Sequence, residues 1–214
     1  DLMTRIRLGA VALAATGVLF LLYPAFRPWH DETTVPGAIA SMTSDRWVAS
    51  HLFAMIGFIL MPLGLLALHR LLNGTRGEPL TAAAVVTSWI GAGLTLPYYG
   101  AEDFALHAVA QKAATNPSID LLDLVDAVRF ESVAATTFAL GLLLLAVGAI
   151  LAAVAIWRAS VLPRASGIVF AVGFALFIPQ FYLPAAARIA HGVLILIGSV
   201  WLAGALWRAE EPTV

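Results

Sequence analysis

Cysteine is absent from the 214-residue chain. Its absence excludes disulfides, iron–sulfur centres, thiolate metal sites and cysteine nucleophiles. Charge is also scarce, because only 12% of the residues are charged, about half of the ~25% that is usual in soluble domains. The formal net charge is −1, so no basic surface points to nucleic acid as a partner.

Apolar sequence is what the chain has in abundance. Hydrophobic residues make up 61% of it, and its mean hydropathy is +0.90. Several segments approach the ~20 apolar residues that span a bilayer. We therefore predict an all-α integral membrane protein, with one transmembrane domain over residues 1–214. The six predicted spans are residues 6–26, 47–69, 80–99, 131–157, 165–183 and 189–207.

The basic residues orient these spans. Cytoplasmic loops carry an excess of lysine and arginine, so the side with seven arginines is predicted to be cytoplasmic, with both termini, in a bacterial cell membrane. The other side has five basic residues, spread over longer loops that also contain many acids. The seven are Arg5, Arg7, Arg70, Arg76, Arg158, Arg164 and Arg208, and the five are Arg27, Arg46, Lys112, Arg129 and Arg188.

The connection over residues 100–130 differs from the other loops. It is amphipathic and is predicted to continue the third helix above the membrane until "TNPS" stops it. Asp120 then caps a short helix over residues 121–130. The acids of that helix are predicted to form its solvated face.

One stretch at the outer end of the third span concentrates polar chemistry. "LPYYGAEDFALH", residues 96–107, holds two tyrosines, an adjacent pair of carboxyls and a histidine. Tyr99, Asp103 and His107 are spaced by four residues and would share one face of a regular helix. The same predicted membrane face holds four of the five histidines, which suggests a pocket open to one leaflet or one surface.

The acid pair suggests proton transfer. A carboxyl at an apolar helix end loses hydration, which favours its neutral form. We predict Glu102 as the inward proton donor. Asp103 is predicted to lie at the rim beside His107, and the pair Asp103–His107 then supports the acid. Glu102, Asp103 and His107 are the predicted catalytic residues. A helix-surface ion pair between Asp103 and His107, or a pairing or capping role for Arg129 and Glu131, would be purely structural alternatives.

Aromatic side chains are predicted at the same level as the acid pair. Aromatic faces stabilise cations, and an acid in an aromatic, lipid-accessible pocket is what protonation of an alkene requires. The predicted substrate is therefore a lipophilic molecule with a prenyl chain, and membrane lipid is the other expected partner. The predicted substrate-binding residues are Tyr98, Tyr99, His51, Phe181, Tyr182, Arg188 and His191.

Two other classes of function use the same residues. His51, His107 and His191 could converge on a metal ion, or two of them could ligate haem. No HExxH or DDxxD motif is present, and we expect neither a metal nor another cofactor. The third class is non-enzymatic, a small transporter, sensor or assembly partner.

Three segments carry a resemblance to known proteins. "HLFAMIGFILMPLGLLALHRLL", "LPYYGAEDFALHA" and "FALFIPQFYLPAAARIAHGVLILIGSVWLAGALWR" resemble a family of small actinobacterial membrane proteins over most of residues 47–208. More loosely, the chain is similar to the small membrane terpene cyclases of the drimentine type, which act on farnesylated cyclodipeptides. That resemblance implies an isomerase of a biosynthetic pathway, which cyclises a prenyl chain after protonating it. It carries no catalytic residue over one by one and leaves the oligomeric state open.

Overall fold

The computed structural model describes residues 2–209, which are helical with no strand among them. The predicted all-α fold is confirmed. The helices are α1 (Leu2–Phe26), α2 (Val35–Met42), α3 (Asp45–Leu71), α4 (Glu78–Gly100), a π-helical segment (Ala101–Ala105), α5 (Leu106–Ala113), α6 (Leu121–Arg129), α7 (Ser132–Ala159), α8 (Arg164–Ala175), α9 (Phe177–Gln180) and α10 (Ala185–Trp207).

Five helical stretches of residues 2–209 are long and apolar enough to cross a membrane. They are α1, α3, α7, α10 and the continuous stretch Glu78–Ala113, formed by α4, the π-helical segment and α5. Their outward faces are apolar, with Trp89, Val86 and Leu143 each more than half exposed. This is the surface of an integral membrane protein.

The fifth predicted span is shorter than expected. Helix α8 has 12 residues, which at 1.5 Å per residue cover about 18 Å, less than the ~30 Å of a bilayer's hydrocarbon core. Pro179 lies four residues after Ala175, so it has no N–H to donate to that residue's carbonyl and its ring clashes with it. The helix therefore ends, α9 adds one turn, and Pro184 precedes α10.

The connection between the third and fourth spans follows the prediction closely. The third helix continues to Ala113, and α6 begins at Leu121 after an N-cap in which Asp120 accepts a hydrogen bond from the Asp123 N–H. The Glu131 carboxylate in turn caps α7 by accepting from the Ala134 N–H, at 2.7 Å. The Ala134 and Val133 N–H groups hold the pKa of Glu131 below its ordinary value. The predicted capping role of this residue is confirmed.

The five long stretches and the short helix α8 pack as a closed ring. In order around it, α3 contacts α1, α1 contacts α10, α10 contacts α8, α8 contacts α7, α7 contacts α4, and α4 returns to α3. Helices α4 and α7 approach closely where glycines face each other. A Cβ built on Gly91 would lie 2.7 Å from the Gly141 carbonyl oxygen, and one on Gly141 would lie 2.9 Å from the Gly91 carbonyl oxygen. Small residues therefore permit the close approach of these two helices.

Gly91→Ala is expected to lower stability by roughly 1–3 kcal/mol, the usual cost of overpacking. The new methyl group would meet backbone atoms, which cannot move aside as a flexible side chain can. Gly93→Ala is the matched control, because a Cβ on Gly93 has no neighbour within 4 Å. Thermal unfolding in detergent measures both variants. Equal stability of the two would contradict the close packing of α4 on α7.

The orientation can be tested with single cysteines, because the chain has none of its own. Asn73→Cys, Ser118→Cys and Val161→Cys place thiols at exposed loop positions. We expect a membrane-impermeant maleimide to label Ser118→Cys from outside intact cells, and the other two only after the membrane is opened. Labelling of Asn73→Cys and Ser118→Cys from the same side would contradict the predicted topology.

Candidate functional site

A cavity of ≈ 590 Å³ lies inside the ring at the end where α1 finishes and α3 begins. Its walls are mainly aromatic, with ionisable groups set among the rings. The aromatic lining consists of Tyr23, Trp29, Tyr98, Tyr99, Phe130, Phe138, Phe181 and Tyr182. The ionisable lining consists of Arg27, His30, Glu32, His51, Glu102, Arg129 and Arg188.

Four of these residues form an ion-pair chain, Arg27–Glu32–Arg129–Glu102. Arg27 Nη2 lies 2.7 Å from Glu32 Oε1, and Arg129 Nη2 lies 2.8 Å from Glu32 Oε2. Arg129 also binds Glu102 with two hydrogen bonds, from Nε to Oε1 at 2.7 Å and from Nη2 to Oε2 at 3.1 Å. A bidentate arginine–carboxylate pair is among the strongest and most directional of protein hydrogen-bonded pairs.

The loop after α1 positions Arg27 and Glu32, the first half of the ion-pair chain. Arg27 follows the last residue of α1, and its N–H still bonds to the Tyr23 carbonyl at 3.1 Å. The Thr33 hydroxyl and N–H donate to Asp31, which holds the pKa of that exposed carboxyl below its ordinary value. Thr34 then caps α2. These local bonds turn the chain so that Glu32 lies between two arginines.

Arg129 is positioned from the opposite side of the cavity. It is the last residue of α6, and its carbonyl accepts a hydrogen bond from the Tyr98 hydroxyl at 3.0 Å. Burial lowers the pKa of Arg129, but the adjacent carboxylates of Glu102 and Glu32 outweigh burial and raise that pKa above its ordinary value. The guanidinium is therefore permanently charged and pairs with both carboxylates.

The predicted acid pair lies on the π-helical segment. Glu102 lines the cavity, as predicted, whereas Asp103 is fully buried outside the lining. Within the described part of the chain, neither oxygen of Asp103 has a hydrogen-bond partner. The wider π-helical turn frees backbone carbonyls, and the Trp47 indole N–H donates to the carbonyl of Glu102 at 3.0 Å.

The prediction that Asp103 lies at the rim beside His107 is wrong. One additional residue in a turn rotates the following helix by about 100°, so the four-residue spacing from Tyr99 to His107 does not mark a single face. His107 instead joins α5 to α2: its Nδ1–H donates to the Met42 carbonyl at 2.6 Å, and its Nε2 accepts from the Gln111 amide at 2.9 Å. Its position is structural and outside the cavity lining.

The other two predicted histidines also lie apart. His51 lines the cavity, and its Nδ1–H donates to the Trp47 carbonyl at 2.8 Å. His191 lies outside the lining, where its Nε2–H donates to the Gly173 carbonyl at 2.7 Å. Within residues 2–209 no group of three or more histidines and acids is placed to hold a metal ion.

Six of the seven predicted substrate-binding residues line the cavity, all except His191. Twelve of the nineteen lining residues were not predicted as site residues, among them Tyr23, Arg27, Trp29, Glu32 and Arg129. A signal for some of them was present, since "RPWHDE" places an arginine, a tryptophan and acids directly after an apolar helix. Arg129 lies 97 residues from Glu32 along the chain, so no local sequence pattern indicates that the two side chains pair.

Arg129→Gln is expected to lower the free energy of unfolding by roughly 3 kcal/mol, because it leaves the Glu102 carboxylate without its cation in a largely buried place. Adding Glu102→Gln should recover part of that loss, which is the signature of a direct pair. Unfolding in detergent measures the two single variants and the double variant. Arg46→Gln, at an exposed arginine on the same side, is the control. Additive losses would show that the two side chains do not interact.

Comparisons with known protein families, with curated proteins and with solved structures gave no match for this chain. Any inference about its function therefore starts from the cavity and the residues that line it.

Proposed function

We propose that this chain is a membrane-embedded cyclase that protonates and cyclises the prenyl chain of a prenylated substrate. The observation that supports this most directly is the position of Glu102, a carboxylate on the wall of a cavity that eight aromatic side chains also line. The cavity volume of ≈ 590 Å³ falls within the ~300–1,000 Å³ that is usual for small-molecule sites.

The aromatic walls suit a carbocation. Tyr98 stacks on Phe138 with ring centroids 4.1 Å apart, and Phe138 lies 5.7 Å from Phe181. Tyr23 and Tyr99 meet edge to face at 5.7 Å. Such rings present electron-rich faces to a positive charge.

The reaction adds one proton to the substrate and later removes one proton from the cyclised cation. A protonated Glu102 gives its proton to a terminal alkene carbon, and the resulting tertiary cation is attacked by the next alkene, which forms a carbon–carbon bond. Loss of a proton from the cyclised cation restores an alkene. The reaction is a net isomerisation, so it requires no oxidant, reductant or leaving group.

The ion-pair chain gives Arg129 a second carboxylate. Arg129 binds Glu102 in the structure, and this pair must open when Glu102 carries the proton that it donates to the substrate. Arg129 also binds Glu32, so the arginine keeps a carboxylate partner when Glu102 is neutral.

His51 is the candidate base for the final proton. Its Nδ1 carries a proton, because it donates to the Trp47 carbonyl, so Nε2 of the neutral ring holds the lone pair. The ring lies in the cavity wall and meets Tyr23 and Tyr99, with centroids 5.6 and 6.0 Å away. Glu102 and His51 then serve as acid and base on the same cavity.

Glu102→Gln is expected to abolish turnover while leaving substrate binding intact, because the amide keeps the size of the side chain but has no acidic proton. The measurement is conversion of farnesylated indoles in lipid nanodiscs, with binding followed separately by calorimetry. Asp103→Asn and His107→Ala should keep measurable turnover, because both side chains lie outside the cavity lining.

Glu131→Gln is the matched control, since it removes a carboxyl that caps α7 and does not line the cavity. Full activity in Glu102→Gln would place the acid elsewhere. No turnover of any prenylated substrate by the unaltered protein would favour a transporter or sensor, in which the cavity binds its ligand without reacting.

A further inference from the structure

Arg188 is a third arginine of the cavity, and its charge is not balanced. The lining holds three arginines and two glutamates. Both glutamates are engaged by Arg27 and Arg129 in the ion-pair chain. Among residues 2–209, Arg188 bonds only to neutral groups, with Nε donating to Gln180 Oε1 at 3.0 Å and Nη2 donating to the Tyr23 hydroxyl at 3.4 Å.

The guanidinium of Arg188 is held in a fixed plane. Its central carbon lies 4.9 Å from the ring centroid of Trp29 and 5.1 Å from that of Phe181. Trp29 is itself fixed by a hydrogen bond from its indole N–H to the Pro24 carbonyl at 2.9 Å. Gln180, which fixes Nε, is only 4% exposed. The arginine is therefore preorganised before any ligand arrives.

This arrangement leaves hydrogen-bond donors available. The rings occupy the faces of the guanidinium, and the bonds to Gln180 and Tyr23 use Nε and part of Nη2. Nη1 has no hydrogen-bond partner among the residues that the structure describes. An arginine with stacked faces and a free edge is suited to carboxylate or phosphate oxygens, which match its planar donors.

We propose that Arg188 binds an oxyanion carried by the substrate, so that the substrate is an amphiphile with an anionic group at one end and a prenyl chain at the other. The identity of the chain rests on the proposed function, whereas the anionic group rests on the cavity alone. The anion would balance the excess positive charge of the lining and fix one end of the substrate, so that its chain lies along the aromatic walls.

Calorimetry in phosphatidylcholine nanodiscs tests the anion site. The probes are a farnesylated indole carboxylate and its methyl ester, together with laurate and methyl laurate, which have the same head groups on a saturated chain. We expect each carboxylate to bind at least tenfold more tightly than its ester. Arg188→Gln should remove this preference and leave ester affinity unchanged, whereas Arg46→Gln, at an exposed arginine over Phe26, should keep it.

A second variant keeps the test decisive if Arg188→Gln does not fold. Arg188→Lys retains the charge without the planar fork, so it should show a reduced but measurable preference for carboxylates. Equal affinity of carboxylate and ester in the unaltered protein, an unchanged preference in Arg188→Gln, or failure of every probe to bind would each overturn the proposal.

The outcomes also test the anion site and the proposed cyclase reaction independently. A carboxylate preference that depends on Arg188, with no turnover of any farnesylated probe, would support the anion site and overturn the cyclase. Phosphatidylglycerol added to the nanodiscs distinguishes a lipid from a substrate. If this lipid displaces the carboxylate probes from the unaltered protein at its ordinary bilayer content, the oxyanion belongs to a lipid head group and the substrate assignment is overturned.

Discussion

The arrangement of this end of the molecule depends on the ion pairs of Arg129 with two carboxylates. One guanidinium joins the loop after α1, through Glu32, to the π-helical segment, through Glu102. Each contact is charge-assisted and partly shielded from water, so each is stronger than an exposed surface pair. The ring of helices forms the cavity walls, but this arginine determines which polar groups face inward and fixes the distance between them.

Much of the fold could be predicted from the sequence, because lipid imposes simple rules on it. Apolar length and the positions of polar loops located the long helices, and the cap at Asp120 was visible as a local pattern. The short length of α8 was harder to predict, because hydropathy alone does not show that Pro179 removes a backbone hydrogen-bond donor. The π-helical segment left no sequence signal, because one extra residue in a turn changes neither composition nor hydropathy.

Site residues were predicted when their position follows from their place along a helix. They were missed when it depends on pairing between residues that are distant in sequence. Tyr98, Glu102 and Arg188 could be assigned to one end of the protein from span boundaries alone. The pairing of Glu102 with Arg129 could not be predicted, because no sequence pattern shows that α6 returns over the cavity. Asp103 was placed wrongly for a local reason, since the regular spacing that linked it to His107 fails in a π-helical turn.

The premature end of α8 has a further consequence for the wall of the cavity. Beyond Ala175 the ring of long helices is completed only by the single turn of α9 and the chain around Tyr182. Tyr182 is 86% exposed, yet it also lines the cavity. At this position one phenol ring is both part of the cavity lining and exposed on the outer surface of the protein, so a single side chain separates the two.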